Sequence, residues 1–213
     1  MAEEQSGSAE TILNDPDHGH ISIHPLCVNI MDTPEFQRLR FIKQLGPVYF
    51  VYPGAAQNIF EHSLGVCHLA GRLVKTLQNN QPELEITDAD VLCLEIAGLC
   101  HDLGHGPFSH LFQYSFLPKM WPDLKWTHEE NSVKMFDYLI TKNNLIKYFE
   151  EYHISERDRE FIREIIARPD VASMKSTRPE KYPNERKMFL YKIVSNKRNG
   201  IDVDKWDYLH GIV

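Results

Sequence analysis

The stretch from Val91 to Cys100 constrains the fold most, because Glu95 is its one charged side chain. Read at helical spacing it is apolar almost all round, so the helix it forms, running to about Leu103, belongs at the centre of the molecule. Thr87, with Asp90 three residues on, caps its start, and His101-Asp102-Leu103-Gly104-His105-Gly106-Pro107 ends it. Ile59, Phe60, Leu64, Cys67, Ala70 and Val74 predict a second long, buried helix over 58–77. Shorter helices are expected after Thr33-Pro34 up to Gly46-Pro47, after Thr127 to about Ile140, after Ser155 to about Ala167, over 185–195, and from Asp202 onward. Ile12-Leu13 and Ile21 to Ile23 flank a Pro- and Gly-containing turn and read as a hairpin. Residues 1–10 read as a disordered tail and 168–183 as a polar loop. The expected fold class is all-α, a helical bundle with a small N-terminal β-hairpin, in one domain over 11–213.

Composition excludes several classes. A chain of 213 residues with 42% hydrophobic and 25% charged residues is sized and balanced as a single globular domain. The first ten residues offer no signal peptide, and no window reaches the roughly 20 apolar residues that cross a bilayer. An intracellular chain of the nucleus or cytosol, neither secreted nor membrane-bound, is expected. The net charge of −7 does not indicate a nucleic-acid surface, although local clusters such as Arg38, Arg40 and Lys43 suit anionic ligands. Cys27, Cys67, Cys93 and Cys100 form no CxxC pair and read as buried reduced thiols. The unusual count is eleven histidines, several of them between His101 and His128.

Asp102 would be a carboxylate leaving a core helix, and burying that charge is costly unless something compensates it. A divalent cation does so, and imidazole with carboxylate is a normal mixed ligand set for Fe, Mn or Zn. A histidine in an apolar helix is, taken alone, more often a hydrogen-bonded structural residue; beside Asp102, His101 gains the ligand reading. His62 lies in the other apolar helix between Phe60 and Leu64 and needs a polar partner. Asp204 starts the last helix, where an acidic residue favours the dipole. Asp202 is the better cap of the two, which leaves Asp204 free for another role.

His62, then His101-Asp102, then Asp204 matches the H…HD…D signature of the HD-domain metal phosphohydrolases. The blocks NDPDHGHI, DTPEFQRLRFIKQLG, FEHSLGV, AGLCHDLGHGPFSH, KWTHE and IVSNKRNGIDVDKWDY make the chain resemble the vertebrate deoxynucleoside triphosphate (dNTP) triphosphohydrolases that carry a sterile alpha motif and an HD domain. The resemblance runs from about Ile12 to Tyr208. It implies an HD-domain helical bundle and hydrolysis of dGTP and other dNTPs to deoxynucleoside and inorganic triphosphate, controlling dNTP levels in antiviral defence. It also implies one transition metal on His62, His101, Asp102 and Asp204, with Mg²⁺ brought by the nucleotide. By the family pattern His110 is the general acid, and His105 and His128 contact the substrate phosphates. Gln44, Leu45, Lys205 and Tyr208 match substrate-binding positions. Asn14, Asp32, Gln37 and Arg40 match a regulatory site for GTP or dGTP, and homo-oligomers, dimers or tetramers, are implied.

Four features depart from that pattern. Ile59 stands where the family has an arginine suited to phosphate, Gln113 where an aspartate supports the general acid, and Thr11 where a lysine grips the regulatory nucleotide. The family also continues past this point into a helical lobe, so the domain is expected to be truncated at its C-terminal end. These departures keep other readings open: a catalytically weak HD module that binds nucleotide or nucleic acid or modulates a longer relative, or an HD phosphodiesterase acting on another ester.

Overall fold

The computed structural model describes residues 11–168 and 185–211; the expected tail over 1–10 and nearly all of the expected polar loop lie outside them. β1 (Thr11–Asp15) and β2 (Gly19–Ile23) pair antiparallel with Leu13 opposite Ile21, as the turn signals predict. The Asp15 carboxylate accepts the N–H groups of Asp17 and His18 at 2.9 Å, and Gly19 takes φ +70°, which closes the turn. Ile21 and Ile23 point inward and join the core.

α1 (Pro25–Met31) and α2 (Pro34–Gln37) follow, the latter capped by the Thr33 hydroxyl. The stripe Phe36, Leu39, Ile42 predicts a longer helix, but α helix stops at Gln37 and a 3₁₀ turn covers Arg38–Phe41. Ile42 is already extended. Its carbonyl accepts from Ile59 N–H at 2.9 Å, and Gln44 N–H reaches the Gln57 carbonyl at 3.0 Å. Tertiary backbone bonds have replaced helical ones here, and they bring Gln44 beside the start of α3 (Ile59–Asn80).

α4 (Asp88–Cys100) begins at a reciprocal box in which Thr87 Oγ accepts Asp90 N–H and the Asp90 carboxylate accepts Thr87 N–H. It is buried along nearly its whole length, with α3 on one side and α8 on the other. Glu95 turns to the rim and accepts from Lys75 of α3 at 3.0 Å. Among the described residues the further α-helices are α5 (Leu117–Met120), α6 (His128–Lys142), α7 (Ile146–Glu151), α8 (Glu156–Ile166), α9 (Tyr191–Val194) and α10 (Val203–His210). A 3₁₀ helix over Glu185–Leu190 precedes α9, in place of the single helix expected over 185–195. α10 packs on α3, capped by Asp202 as expected, with Oδ1 accepting Lys205 N–H at 2.9 Å. All four cysteines are buried and free. Among the described residues no helix is long and apolar enough to cross a membrane. The fold is all-α apart from the hairpin.

Buried Glu35 ties α2 to the end of α6, accepting from Lys142 Nζ and Asn143 Nδ2, each at 2.9 Å. Burial alone would raise its pKa; the two hydrogen bonds and the Lys142 charge outweigh that and hold it below the ordinary 4.5. A carboxyl depressed on folding stabilises fully above its unfolded value, and the contribution fades as pH falls through the folded one. Wild type is therefore expected to lose melting temperature more steeply below about pH 4.5 than Glu35→Gln does. Parallel acid slopes in a thermal-melt series would reject this.

Candidate metal centre

The core helix ends at Cys100, with His101 as its C-cap. The turn that follows is pinned from two sides. Arg38 donates to the Leu103 carbonyl at 2.5 Å and the His105 carbonyl at 3.0 Å. From α6, Asn131 donates to the Gly104 carbonyl and Ser132 Oγ accepts Gly104 N–H, both at 2.8 Å. A Cβ on Gly104 would lie 2.2 Å from Ser132 N and 2.5 Å from the His128 carbonyl oxygen, so only glycine allows α6 this close.

His62, buried in the second turn of α3, is oriented by a carboxylate behind it. Its Nδ1 lies 2.6 Å from Asp207 Oδ2, and the other oxygen of Asp207 is 2.7 Å from His18 Nε2. A Cβ on Gly65 would stand 1.7 Å from Asp207 Oδ1, so the glycine opens the room for this carboxylate under α3. His101 is held similarly, its Nδ1 donating to the Gly98 carbonyl at 2.7 Å. A carbonyl only accepts, so the proton of neutral His101 sits on Nδ1 and Nε2 presents a lone pair.

The ends facing inward converge. His62 Nε2 is 3.1 Å from Asp204 Oδ1 and 3.8 Å from Asp102 Oδ2; His101 Nε2 is 3.4 Å from Asp102 Oδ1 and 3.6 Å from Asp204 Oδ1. Donors held at about 2.0–2.2 Å around one cation stand roughly 3–3.6 Å from one another; three of these separations fall in that range and the His62–Asp102 one is slightly longer. His101 Nε2 and Asp102 Oδ1 are buried without a hydrogen-bond partner, and donor atoms of His62, His101 and Asp102 all lie within 4.8 Å of one another. The electrostatics agree. Burial works against charging His62, yet its hydrogen bonds to Asp204 and Asp207 and the charge of Asp102 push its pKa up to about 10. Burial works to raise the Asp102 pKa too, but the neighbouring histidines, His101 first, hold it well below the carboxylate range. The pocket is organised around positive charge. A divalent cation fits it.

His105, His110 and His128 form a second group, with ring nitrogens also within 4.8 Å of one another. His105 and His128 stack at 4.1 Å between centroids, and Asp102 Oδ1 lies 3.5 Å from the first and 3.6 Å from the second. His110 is exposed and meets both rings edge-on. The structure takes Gln113 away from His110: its Oε1 accepts His128 N–H at 3.2 Å and lies 2.7 Å from His128 Nδ1. The reason is local, since Phe112–Phe116 is a π-helical turn, in which residues three apart no longer sit above one another. Because the same oxygen accepts a backbone N–H, the ring Nδ1 must donate to it, which leaves Nε2 of neutral His128 facing the cleft. Burial first, then the charges of His105, Arg168 and His110, bring the His128 pKa down to about 3 despite Asp102. The His110 residue is exposed, but packing of its ring against His105 and His128 strips enough water from it, together with the charge of His105, to lower its pKa as well.

These residues border a small cleft, to which Gln44, Ile59 and Tyr208 also contribute. Leu45 is half-buried and Lys205 exposed, and neither lines it among the described residues. Asn14, Asp32, Gln37 and Arg40 lie away from its lining. Arg40 sits 3.4 Å over the Phe60 ring and donates to Gln37 Oε1, whose amide donates to the Met31 carbonyl. Asp207, His18 and Arg168 were not legible as site residues. The spacing of Asp204 and Asp207, three apart on one helix face, was the available signal for the first of them.

The helical fold and the donor cluster of His62, His101 and Asp102, with Asp204 beside it, agree with the HD-domain family pattern, which matches residues 59–212. The chain belongs to that family. It is 59% identical over 199 residues to deoxynucleoside triphosphate triphosphohydrolase SAMHD1 of Homo sapiens, covering 92% of this chain and 32% of that protein. The Gallus gallus protein of the same name is 57% identical, with 96% and 34% covered, and a Dictyostelium discoideum homolog is 41% identical, with 96% and 36% covered. The chain thus spans about a third of the length of these curated relatives.

Proposed function

We propose that this chain is a metal-dependent dNTP triphosphohydrolase, releasing deoxynucleoside and inorganic triphosphate. The observation that carries the reading is the convergence of His62, His101, Asp102 and Asp204 on one buried point. The names of the relatives supply the substrate class. A divalent cation held by those four residues, Fe, Mn or Zn by donor type, would lower the pKa of water and neutralise phosphate oxygens.

The chain's own residues supply the rest. Asp207 behind His62 and the Gly98 carbonyl behind His101 hold both rings with Nε2 inward, which fixes ligand orientation before any cation arrives. His105 and neutral His128 border the path of the phosphates, and His128 is kept in register by Gln113. In the reaction, water oxygen bonds to the α-phosphorus and gives up a proton to solvent, the bond to the 5′-oxygen breaks, and that oxygen takes a proton from His110, which is reprotonated from solvent. Loss of water around its ring and neighbouring positive charge make the His110 imidazolium a stronger acid than an ordinary one, and the incoming phosphates favour its protonation.

Incubation of Mn²⁺-loaded protein with dGTP is expected to yield deoxyguanosine and triphosphate in equal amounts. Release of pyrophosphate or orthophosphate instead, or no product above a His101→Ala Asp102→Ala control, would reject the reaction.

A further inference from the structure

Arg168 follows Ala167, the C-cap of α8. Its N–H closes on the Ile165 carbonyl at 3.0 Å and its φ is +50°, a left-handed conformation that is costly for a residue with a Cβ. The side chain lies over the metal centre: Nη2 donates to Asp204 Oδ2 at 2.6 Å and stands 3.9 Å from Asp102 Oδ1, while Nε is buried without a partner. Among the described residues lining the cleft it is the one permanent cation. Ile59, in the same lining, is almost completely buried and offers no charge.

Two demands on these carboxylates compete. A divalent cation among His62, His101, Asp102 and Asp204 would draw on the same negative charge that the guanidinium now uses, and the two positive charges would repel each other at short range. A triphosphate, in turn, calls for a donor fork in the cleft, and guanidinium geometry matches phosphate oxygens. We propose that Arg168 exchanges partners: its guanidinium pairs with Asp204 and faces Asp102, and it turns to a phosphate oxygen of the substrate when a cation takes those carboxylates. It thereby supplies the phosphate-directed charge that Ile59 does not. The exchange rests on the metal-centre reading above and adds a positioning residue to it.

The test compares wild type with Arg168→Gln and with Arg168→Gly, a second variant that relaxes the left-handed turn. Mn²⁺ affinity, read from the paramagnetic resonance of the free ion, is expected to rise about tenfold in both variants as the competing charge is removed. Binding of inorganic triphosphate to the Mn²⁺-loaded protein is expected to weaken about tenfold, the loss of one charge-assisted contact. Mn²⁺ affinity equal to or below that of wild type would overturn the exchange, and so would unchanged triphosphate binding. Neither readout depends on turnover. Both shifts in a protein that hydrolyses no dNTP would reject the reaction and keep the exchange, whereas turnover with either shift missing would do the opposite.

Discussion

Replacing His101 and Asp102 together with alanine is expected to leave a folded protein that neither retains metal nor releases triphosphate. Metal catalysis contributes several kcal/mol of transition-state stabilisation, and each ~1.4 kcal/mol is tenfold, so a loss of roughly 10³-fold or more in rate is expected. Stability should follow a different course. His101 Nε2 and Asp102 Oδ1 make no hydrogen bond, and α4 is anchored by the apolar side chains before them. The double variant gives up the His101–Gly98 bond and the charge contacts of Asp102 but leaves the apolar packing of α4 in place. Elemental analysis, a thermal melt and the triphosphate assay together check this; stoichiometric metal in the double variant would refute the ligand assignment. Asp207→Asn makes a graded companion. It leaves all four donors and weakens only the support behind His62, for which a 10- to 100-fold loss in metal affinity or activity is typical, roughly.

Gly104→Ala is the second large effect. The added methyl would meet Ser132 N at 2.2 Å and the His128 carbonyl oxygen at 2.5 Å, both in helix backbone, which cannot rotate away. Overpacking of this kind costs about 1–3 kcal/mol or more. At roughly 2–4 °C per kcal/mol for a chain of this size, the melting temperature should fall by several degrees. Relief requires α6 to move off the turn, which breaks the bonds from Asn131 and to Ser132 and carries His128 out of the cleft. Activity should therefore fall further than stability. Gly54→Ala, where a Cβ meets nothing within 4 Å, is the control expected to change neither. Equal behaviour of the two variants in melts and turnover would show that the close approach of α6 is not needed.

Much of this was legible in the chain itself because its causes are local. The near-absence of charge between Val91 and Cys100 puts α4 in the core whatever surrounds it, and the pairs Thr87 with Asp90 and Ser155 with Asp158 start helices through bonds spanning three residues. The His101-Asp102 doublet at the end of a buried helix announced a charge that needs a counter-charge, and Asp202 marked itself as the cap that leaves Asp204 free. Other features exist only after packing. Ile42 left its helical stripe because Ile59 N–H offered its carbonyl a tertiary bond. Gln113 reached His128 and not His110 because a π turn changed its direction, a change that no residue spacing encodes. Asp207, His18 and Arg168 joined the centre from positions up to 189 residues apart in the chain. Their partners are set by how closely α3, α10 and the end of α8 approach one another. Periodicity and capping act over one or two helical turns and can be read along a line; which carboxylate stands behind which imidazole depends on distances between elements, and those are settled only when the core closes.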